Sequence, residues 1–284
     1  MKILAKWYVT RSRQCRYGRR ALANAATLCS FETAMLDETA CSPEELLIAT
    51  VARMLDGLRH VAVGVSSPIP GAAALLARAR SGGTLRVSLL GSEDNNFFTD
   101  GGRELFDCAA QGRIDAFFLG GGQIDGEANI NLVGIPVPGD PARMSVRWPG
   151  SFGAAYLYFL VPRVILFREE HSRRSLVPRV DFVSAPGVSQ DNVYRPGGPY
   201  ALVTDRCVFA FDRTRRRFRL ASVHPGHTVD EIRANTGFDY EAPAEVPPTP
   251  APDPESLALI RGRIGAEISE VYPRFARRLA GVAG

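Results

Sequence analysis

The chain lacks paired cysteines. Its five (Cys15, Cys29, Cys41, Cys108 and Cys207) are scattered, with no CxxC spacing. Neither a zinc site nor a disulfide framework is indicated, no metal is expected, and a reducing cytoplasm is the expected compartment. No apolar run approaches the ~18 residues of a membrane span, and no internal repeat is evident. The triple glycine Gly120–Gly122 is not followed by Gly-Lys-Ser/Thr, so it is no Walker phosphate loop, and GGGQID fails the GxGxxG spacing of a dinucleotide site. Ser92 is not in a GxSxG elbow, which disfavours a serine nucleophile. Excess charge is confined to one end. Residues 1–34 hold seven basic side chains against Glu32, and the rest holds 27 basic against 29 acidic. The formal charge of +4 therefore gives no warrant for nucleic-acid binding by the body of the protein.

The N-terminal stretch MKILAKWYVTRSRQCRYGRR breaks its apolar run at Lys6 and an arginine cluster, which argues against a secretory signal. It fits an arginine-rich, acid-poor presequence. The reading favoured here is an overlong translation start, because Met35 opens MLDETACSPEELL like an ordinary beginning. The expectation is a poorly ordered basic extension over 1–40 and one domain over 41–284.

The 284 residues, 45% of them hydrophobic, suffice for one large domain. Ser42-Pro43-Glu44-Glu45 predicts a capping box opening a helix. Strands are predicted at His60–Val65, Leu85–Leu90, Ala116–Leu119, Asn129–Ile135 and Val164–Phe167, with helices from Gly71 to about Arg80 and from Arg103 to Gln111. That alternation predicts an α/β fold, a single open, largely parallel sheet with helices on both faces. Further short strands are predicted in the C-terminal half, at Val180–Val183, Ala201–Thr204, Val208–Phe211 and Phe218–Val223, with the DRTRRR run between the last two as a solvated hairpin tip. Pro136–Pro141 reads as a surface loop and Pro243–Pro254 as an extended strap. Thr228-Val229-Asp230-Glu231 predicts a second capping box. The helices Glu255–Arg263 and Glu267–Leu279 follow, the last expected to pack on a partner or fray.

The stretch Leu89–Asn131 carries the chemistry. Two apolar strands end in glycine-rich, polar loops, and such loops hold the ligand in open α/β sheets. Glu93 follows the first strand at once, flanked by Ser92, Asp94, Asn95 and Asn96. In a partly dry site a carboxylate can attack a thioester. Backbone N–H groups of the loops Gly120-Gly121-Gly122 and Gly150-Ser151-Phe152-Gly153 are candidates to stabilise the resulting oxyanion. The competing reading of Glu93 is an exposed loop acid, and of the triple glycine, tight backbone packing. His224 and His227 share no helix face and have no third ligand, so structural or surface roles are favoured over metal binding. Phe97, Phe98, Phe152 and Tyr156 fit either an apolar pocket or core.

Several segments together resemble the second subunit of the family I CoA-transferases, glutaconate CoA-transferase above all. GGGQIDGEANIN (Gly120–Asn131) resembles that subunit's GGxQID segment, with Ala128 where the family usually has glycine. WPGSFGAA (Trp148–Ala155) resembles its GSGGA loop, with Phe152 in place of a glycine. EHSRR (Glu170–Arg174), VDFVSAPG (Val180–Gly187), LVTDRCVFAFD (Leu202–Asp212), ANTGFDY (Ala234–Tyr240) and PAPDPESLALIRGRI (Pro250–Ile264) have counterparts too.

The resemblance implies a chain that works with a homologous first (alpha) subunit, as a heterodimer or a heterotetramer of two each. It implies CoA transfer from an acyl-CoA to a carboxylic acid through a glutamyl-CoA thioester, with the CoA thioester as substrate and no tightly bound cofactor. Ser92-Glu93-Asp94-Asn95 matches the Ser-Glu-Asn-Gly motif of related ketoacid CoA-transferases, its third and fourth positions changed. A gapless alignment to the glutaconate enzyme puts Ser92 on the catalytic position, and a one-residue shift restores Glu93. Glu93 is the implied nucleophile, with Ser92 and Asn95 beside it in the substrate site. Gly120, Gly121, Gly122 and Gln123 would line the thioester end, and Gly150 and Gly153 the opposite wall. A sister group, the steroid-ring-opening hydrolases of actinobacteria, keeps the fold without this glutamate, so a CoA-thioester hydrolase is the alternative. A silent subunit that only completes its partner's CoA site is a third reading.

Overall fold

The computed structural model describes residues 41–280. The expected extension over 1–40 lies outside the described residues. Ser42 caps the first helix (α1, Pro43–Arg53) as a full capping box, with the Ser42 side chain on the Glu45 amide and the Glu45 carboxylate on the Ser42 amide. Then follow β1 (His60–Val63), α2 (Pro68–Arg80), β2 (Arg86–Leu89), α3 (Gly101–Ala110) and β3 (Ala116–Leu119). Two short ladders interrupt the alternation, β4 (Gln123–Ile124) with β5 (Ile130–Asn131) and β6 (Gly134–Val137) with β7 (Asp140–Arg147). The chain resumes with α4 (Ala154–Leu160), β8 (Arg163–Arg168), β9 (Pro199–Thr204), β10 (Cys207–Asp212), β11 (Arg217–Val223) and α5 (Val229–Asn235). It closes with α6 (Pro254–Leu259), a π-helical turn (Ile260–Ile264), α7 (Gly265–Ile268) and α8 (Pro273–Leu279).

The main sheet has the order β11-β10-β9-β8-β3-β1-β2. β2, β1, β3, β8 and β9 pair in parallel, and β10 and β11 extend the sheet antiparallel. Successive strand side chains point to opposite faces, and the core divides accordingly. Val61, Val63, Phe118 and Ile165 bury against α1, α2 and the C-terminal helices. Ala62, Phe117, Leu119, Val164 and Leu166 bury on the other face, with residues of α3, α4 and α5. The expected doubly covered, largely parallel sheet is present, as are the added strands β9–β11.

Five local expectations are corrected. The strand expected over Asn129–Ile135 is split between β5 and β6, because the Asn131 side chain turns the chain by accepting from the Val133 and Gly134 amides. The surface loop expected over Pro136–Pro141 is the tip of the β6–β7 hairpin, with Gly139 at φ +80°. Val180–Val183 is not a strand. Its neighbour Ala185 instead bridges to Ile130. The Thr228 cap is half a box, since Thr228 takes the Glu231 amide while the Glu231 carboxylate turns to Arg206 and His227. The helix expected over Glu267–Leu279 breaks before Pro273, which cannot continue a helix from the preceding turn. Its second half buries Phe275, Ala276 and Leu279 with α1 and α2.

Candidate active site

The chain leaves β1 for β2 on one side and returns to β3 on the other, so the strand order reverses between β1 and β3. Ligands of open α/β sheets bind in the crevice outside the carboxyl ends of such strands. A cavity of about 490 Å³ lies there. Ser66, Ser67 and Pro68 line it after β1, Gly120 after β3, and Arg168 at the end of β8 with Glu169 and Glu170 after it, with Leu132 closing one wall. A volume in the 300–1,000 Å³ range suits a small ligand or one end of a large one.

The β8 end of this cavity is electrostatically fixed. Arg168 donates to Glu170 at 2.7 Å and to the Gly121 carbonyl at 3.2 Å. The Glu170 carboxyl is held down at about 2, first by the Ser172 hydroxyl, with burial opposing and Arg168 and Arg174 adding to the drop. It is a carboxylate at neutral pH and has no proton to give. Next in sequence, His171 is buried between Thr204 (2.9 Å from Nδ1) and Thr236 (3.0 Å from Nε2). The Thr236 hydroxyl donates to the Ile232 carbonyl and the Thr204 hydroxyl to the Cys207 carbonyl, so each threonine oxygen is placed to accept from a ring N–H of His171. Cys207 lies 3.7 Å away, but burial pushes its thiol up to about 12, so the pair is not a thiolate nucleophile and its base.

Burial, and then the charge of Arg206, lower the His171 imidazole to about 4 from a normal 6.5. The unfolded chain therefore takes up this proton first as pH falls. The stability His171 confers is complete above pH 6.5 and is lost between 6.5 and 4, by about 3 kcal/mol. Urea unfolding is expected to show that loss, and in His171→Gln the fall should be shallower by about 1.4 kcal/mol per pH unit. Equal slopes would mean the buried ring is protonated as easily as a free one.

Glu93 stands at the same end of the sheet, one strand further out, after β2. Its carboxylate is exposed, and no group among the described residues pairs with it. The turn beneath is tightly held. The buried Ser92 hydroxyl donates to Glu270 at 2.5 Å and accepts the Asn95 amide at 2.8 Å. The Glu93 amide donates to the other Glu270 oxygen at 2.5 Å. The Asn95 side chain accepts from Arg78 at 2.7 Å, and the same arginine donates to Glu267 at 2.6 Å. Ser92 and Asn95 thus spend these polar atoms on the protein itself. Neither they nor Glu93 line the cavity at the β1–β3 crevice.

The glycine loops take the packing reading more than the oxyanion one. A Cβ on Gly121 would lie 2.5 Å from Ile130, and on Gly122 2.2 Å from the Trp148 ring. A Cβ on Gly153 would meet Phe106 at 2.2 Å. The Gly122 amide donates to the Asn131 carbonyl and the Gly150 amide to that of Leu132, so both N–H groups are engaged within the protein. The buried Gln123 gives its NH₂ to Asp181 at 2.6 Å and accepts from Asn131 at 2.8 Å. Of the loop residues expected in the substrate site, only Gly120 lines the cavity. Gly150 adjoins it through Leu132. The four aromatics line it nowhere. Phe98 is core, Phe97 lies under Arg86, and Phe152 (91% exposed) and Tyr156 flank Phe106 on the surface.

His224 belongs to the core, bonded to Thr249 and the Thr204 carbonyl, and His227 pairs with Glu231. Sequence reasoning missed Ser66, Ser67, Arg168 and Glu169 in the cavity wall, and Glu270 under Glu93. The first four lie at or just after strand ends, a position at which only Glu93, its neighbours and the glycine loops stood out in the sequence. Nothing local marks Glu270.

Comparison with known proteins fits this geometry. The chain is 32% identical over 154 residues to the second subunit of glutaconate CoA-transferase from Acidaminococcus fermentans, spanning 52% of this chain and 56% of that one. It is 31% identical over 163 residues to the cholesterol ring-cleaving hydrolase IpdB subunit of Rhodococcus jostii, spanning 56% and 62%. These matches thus cover less than two thirds of either relative. The solved structure of the decarboxylase AibA/AibB superposes with a TM-score of 0.66 at 26% identity, covering 84% of this chain and 99% of that one. Residues 43–235 match the coenzyme A transferase family, two thirds of the sequence running from α1 to α5. With a doubly covered parallel sheet, a crevice at its switch point and this match along most of its length, the chain belongs to the coenzyme A transferase family.

Proposed function

We propose that this chain is the second subunit of a two-chain acyl-CoA:carboxylate CoA-transferase in which Glu93 is the nucleophile. The observation that supports it most is the exposed Glu93 carboxylate, paired with no group among the described residues, at the carboxyl end of the parallel sheet and raised on a turn whose Ser92, Glu93 and Asn95 groups are all held. The Glu93 carboxylate attacks the thioester carbonyl, giving an acyl-glutamyl anhydride and CoA thiolate. The thiolate attacks the glutamyl carbonyl, releasing the acid and leaving a glutamyl-CoA thioester. The acceptor carboxylate then repeats the two steps in reverse and leaves as its CoA thioester. The CoA thioester is the substrate and no bound cofactor is required. Because Glu93 is exposed in the single chain, the drying of the site falls to a homologous first subunit. The setting is the cytoplasm, where acyl-CoA and carboxylic acids meet.

A second reading rests on the likenesses to the IpdB hydrolase subunit and to the decarboxylase AibA/AibB, the latter spanning 99% of that chain. In it the same scaffold completes a CoA-thioester hydrolase or decarboxylase whose reacting group lies on the partner. The chain co-expressed with its first subunit separates the two. Labelled CoA moving from an acyl-CoA to a carboxylic acid supports transfer. Free CoA, ring-opened acid or carbon dioxide without label in the acceptor supports the second reading.

A further inference from the structure

The segment between α7 and α8 crosses the carboxyl ends of two strands. Glu270 takes the Ser92 hydroxyl and the Glu93 amide, each at 2.5 Å, on its two oxygens. Val271 follows, and its methyl would lie 3.8 Å from a Cβ on Gly91, as would that of Val65 after β1. The Tyr272 hydroxyl accepts the Ser67 amide at 3.1 Å, and Ser67 lines the cavity at the switch point. One turn earlier, Glu267 holds Arg78, which holds Asn95. Three consecutive residues therefore join the turn that carries Glu93 to the loop that lines the cavity. They lie beyond residues 43–235, the part that matches the family.

The geometry points to Glu270–Tyr272 as a clamp, in which Glu270 is a positioning residue that fixes the Ser92–Asp94 turn, and so the Glu93 carboxylate, against the cavity loop. This rests on the transferase reading of Glu93. The physical argument is one of acceptors. The turn offers a hydroxyl and a backbone amide in one direction, and a carboxylate with two oxygens answers both. Without it neither group has another acceptor among the described residues, and the turn reorganises towards water. A displacement of about 1 Å at a reacting group can cost 10²-fold in rate. Burial pushes the Glu270 carboxyl up, but the Ser92 hydroxyl and the Glu93 and Asp94 amides outweigh it and its pKa is lowered, in keeping with a carboxylate held in its charged form.

The test uses the two-chain complex. Hydrogen exchange is followed in the peptide spanning Gly91 to Asn95, and the rate of Glu93 labelling by acyl-CoA is followed by peptide mass spectrometry. Glu270→Ala is expected to speed exchange at Glu93 and to slow labelling about 10²-fold, with the KM for acyl-CoA changed less than about threefold. Glu270→Gln keeps an oxygen for the amide and places its NH₂ on the Ser92 oxygen. It is expected to restore labelling to within about tenfold of wild type. Should Glu270→Ala not assemble, Glu270→Met fills the space without an acceptor and carries the same comparison. Unchanged exchange, or faster exchange with labelling within about threefold of wild type, overturns the clamp while leaving the transferase reading intact. A wild-type complex that turns over acyl-CoA without ever labelling Glu93 overturns the transferase reading, and the positioning role with it.

Discussion

Glu93→Gln in the two-chain complex is expected to lower CoA transfer by about 10⁴-fold or more, the scale seen when a covalent nucleophile is removed. The loss should fall on kcat, because glutamine occupies the same space but cannot attack the thioester. Folding should be untouched. The side chain is exposed and pairs with nothing among the described residues, while the contacts that hold the turn come from the Glu93 amide and from Ser92, which the substitution keeps. A thermal midpoint within about 2 °C of wild type is therefore expected, as for most surface substitutions. Unchanged turnover in a folded complex would move the chemistry to the partner's carboxylates. It would leave Glu93 as the exposed loop acid that its position alone also allows.

Gly122→Ala is expected to behave in the opposite way, damaging the fold before the chemistry. The new methyl would lie 2.2 Å from Trp148 Cζ2, with two more ring atoms within 2.5 Å. Something must shift, and the indole is tied at its own backbone by the Trp148 amide on the Val133 carbonyl. Overpacking of this kind costs roughly 1–3 kcal/mol, equivalent to a drop of roughly 3–10 °C in the thermal midpoint of a domain this size. The cause is a single ring, so Trp148→Ala should absorb much of it. The double variant is expected to be more stable than the sum of the single losses by about 1 kcal/mol or more. Strict additivity would mean the glycine is needed for another reason. A Gly122→Ala protein that melts like wild type yet transfers CoA poorly would restore the oxyanion role that its amide bond to Asn131 argues against.

The contrast between these two positions shows what the sequence carries. AFFL before three glycines read correctly as β3, because a short continuous apolar run bounded by glycine has few other uses in an α/β chain. The Ser42 capping box read correctly because all its partners lie within four residues. Each failure required a distant partner or an ambiguous pattern. AAYLYFL has no period that separates helix from strand, and α4 went unseen. DPARMSVR is exposed over most of its length, so β7 shows no buried face to recognise. The prolines of GIPVP pointed to a loop although they lie on a two-stranded hairpin, where a missing N–H is tolerated at the edge.

The site divides in the same way. The glycine loops were visible, yet the reason for each glycine was not, because Trp148 and Phe106 are remote in sequence from the positions they press on. Gln123, Asp125, Asn129 and Asn131 look like a binding motif when written in a row. In the fold Asp125 holds the Glu127 and Asn129 amides, and Gln123 and Asn131 bond to each other, so the motif builds a tight turn at the crevice. Glu270 was beyond reach, since it meets Ser92 across 178 positions.

Covalent trapping addresses the central claim most directly. The wild-type complex is incubated with a panel of acyl-CoAs without acceptor, treated with borohydride or hydroxylamine, digested, and the peptide containing Glu93 is weighed. The account predicts a reduced or hydroxamate-tagged Glu93 that appears only with a competent acyl-CoA and is discharged when a carboxylic acid is added first. Thioester consumption with Glu93 unmodified throughout would contradict it.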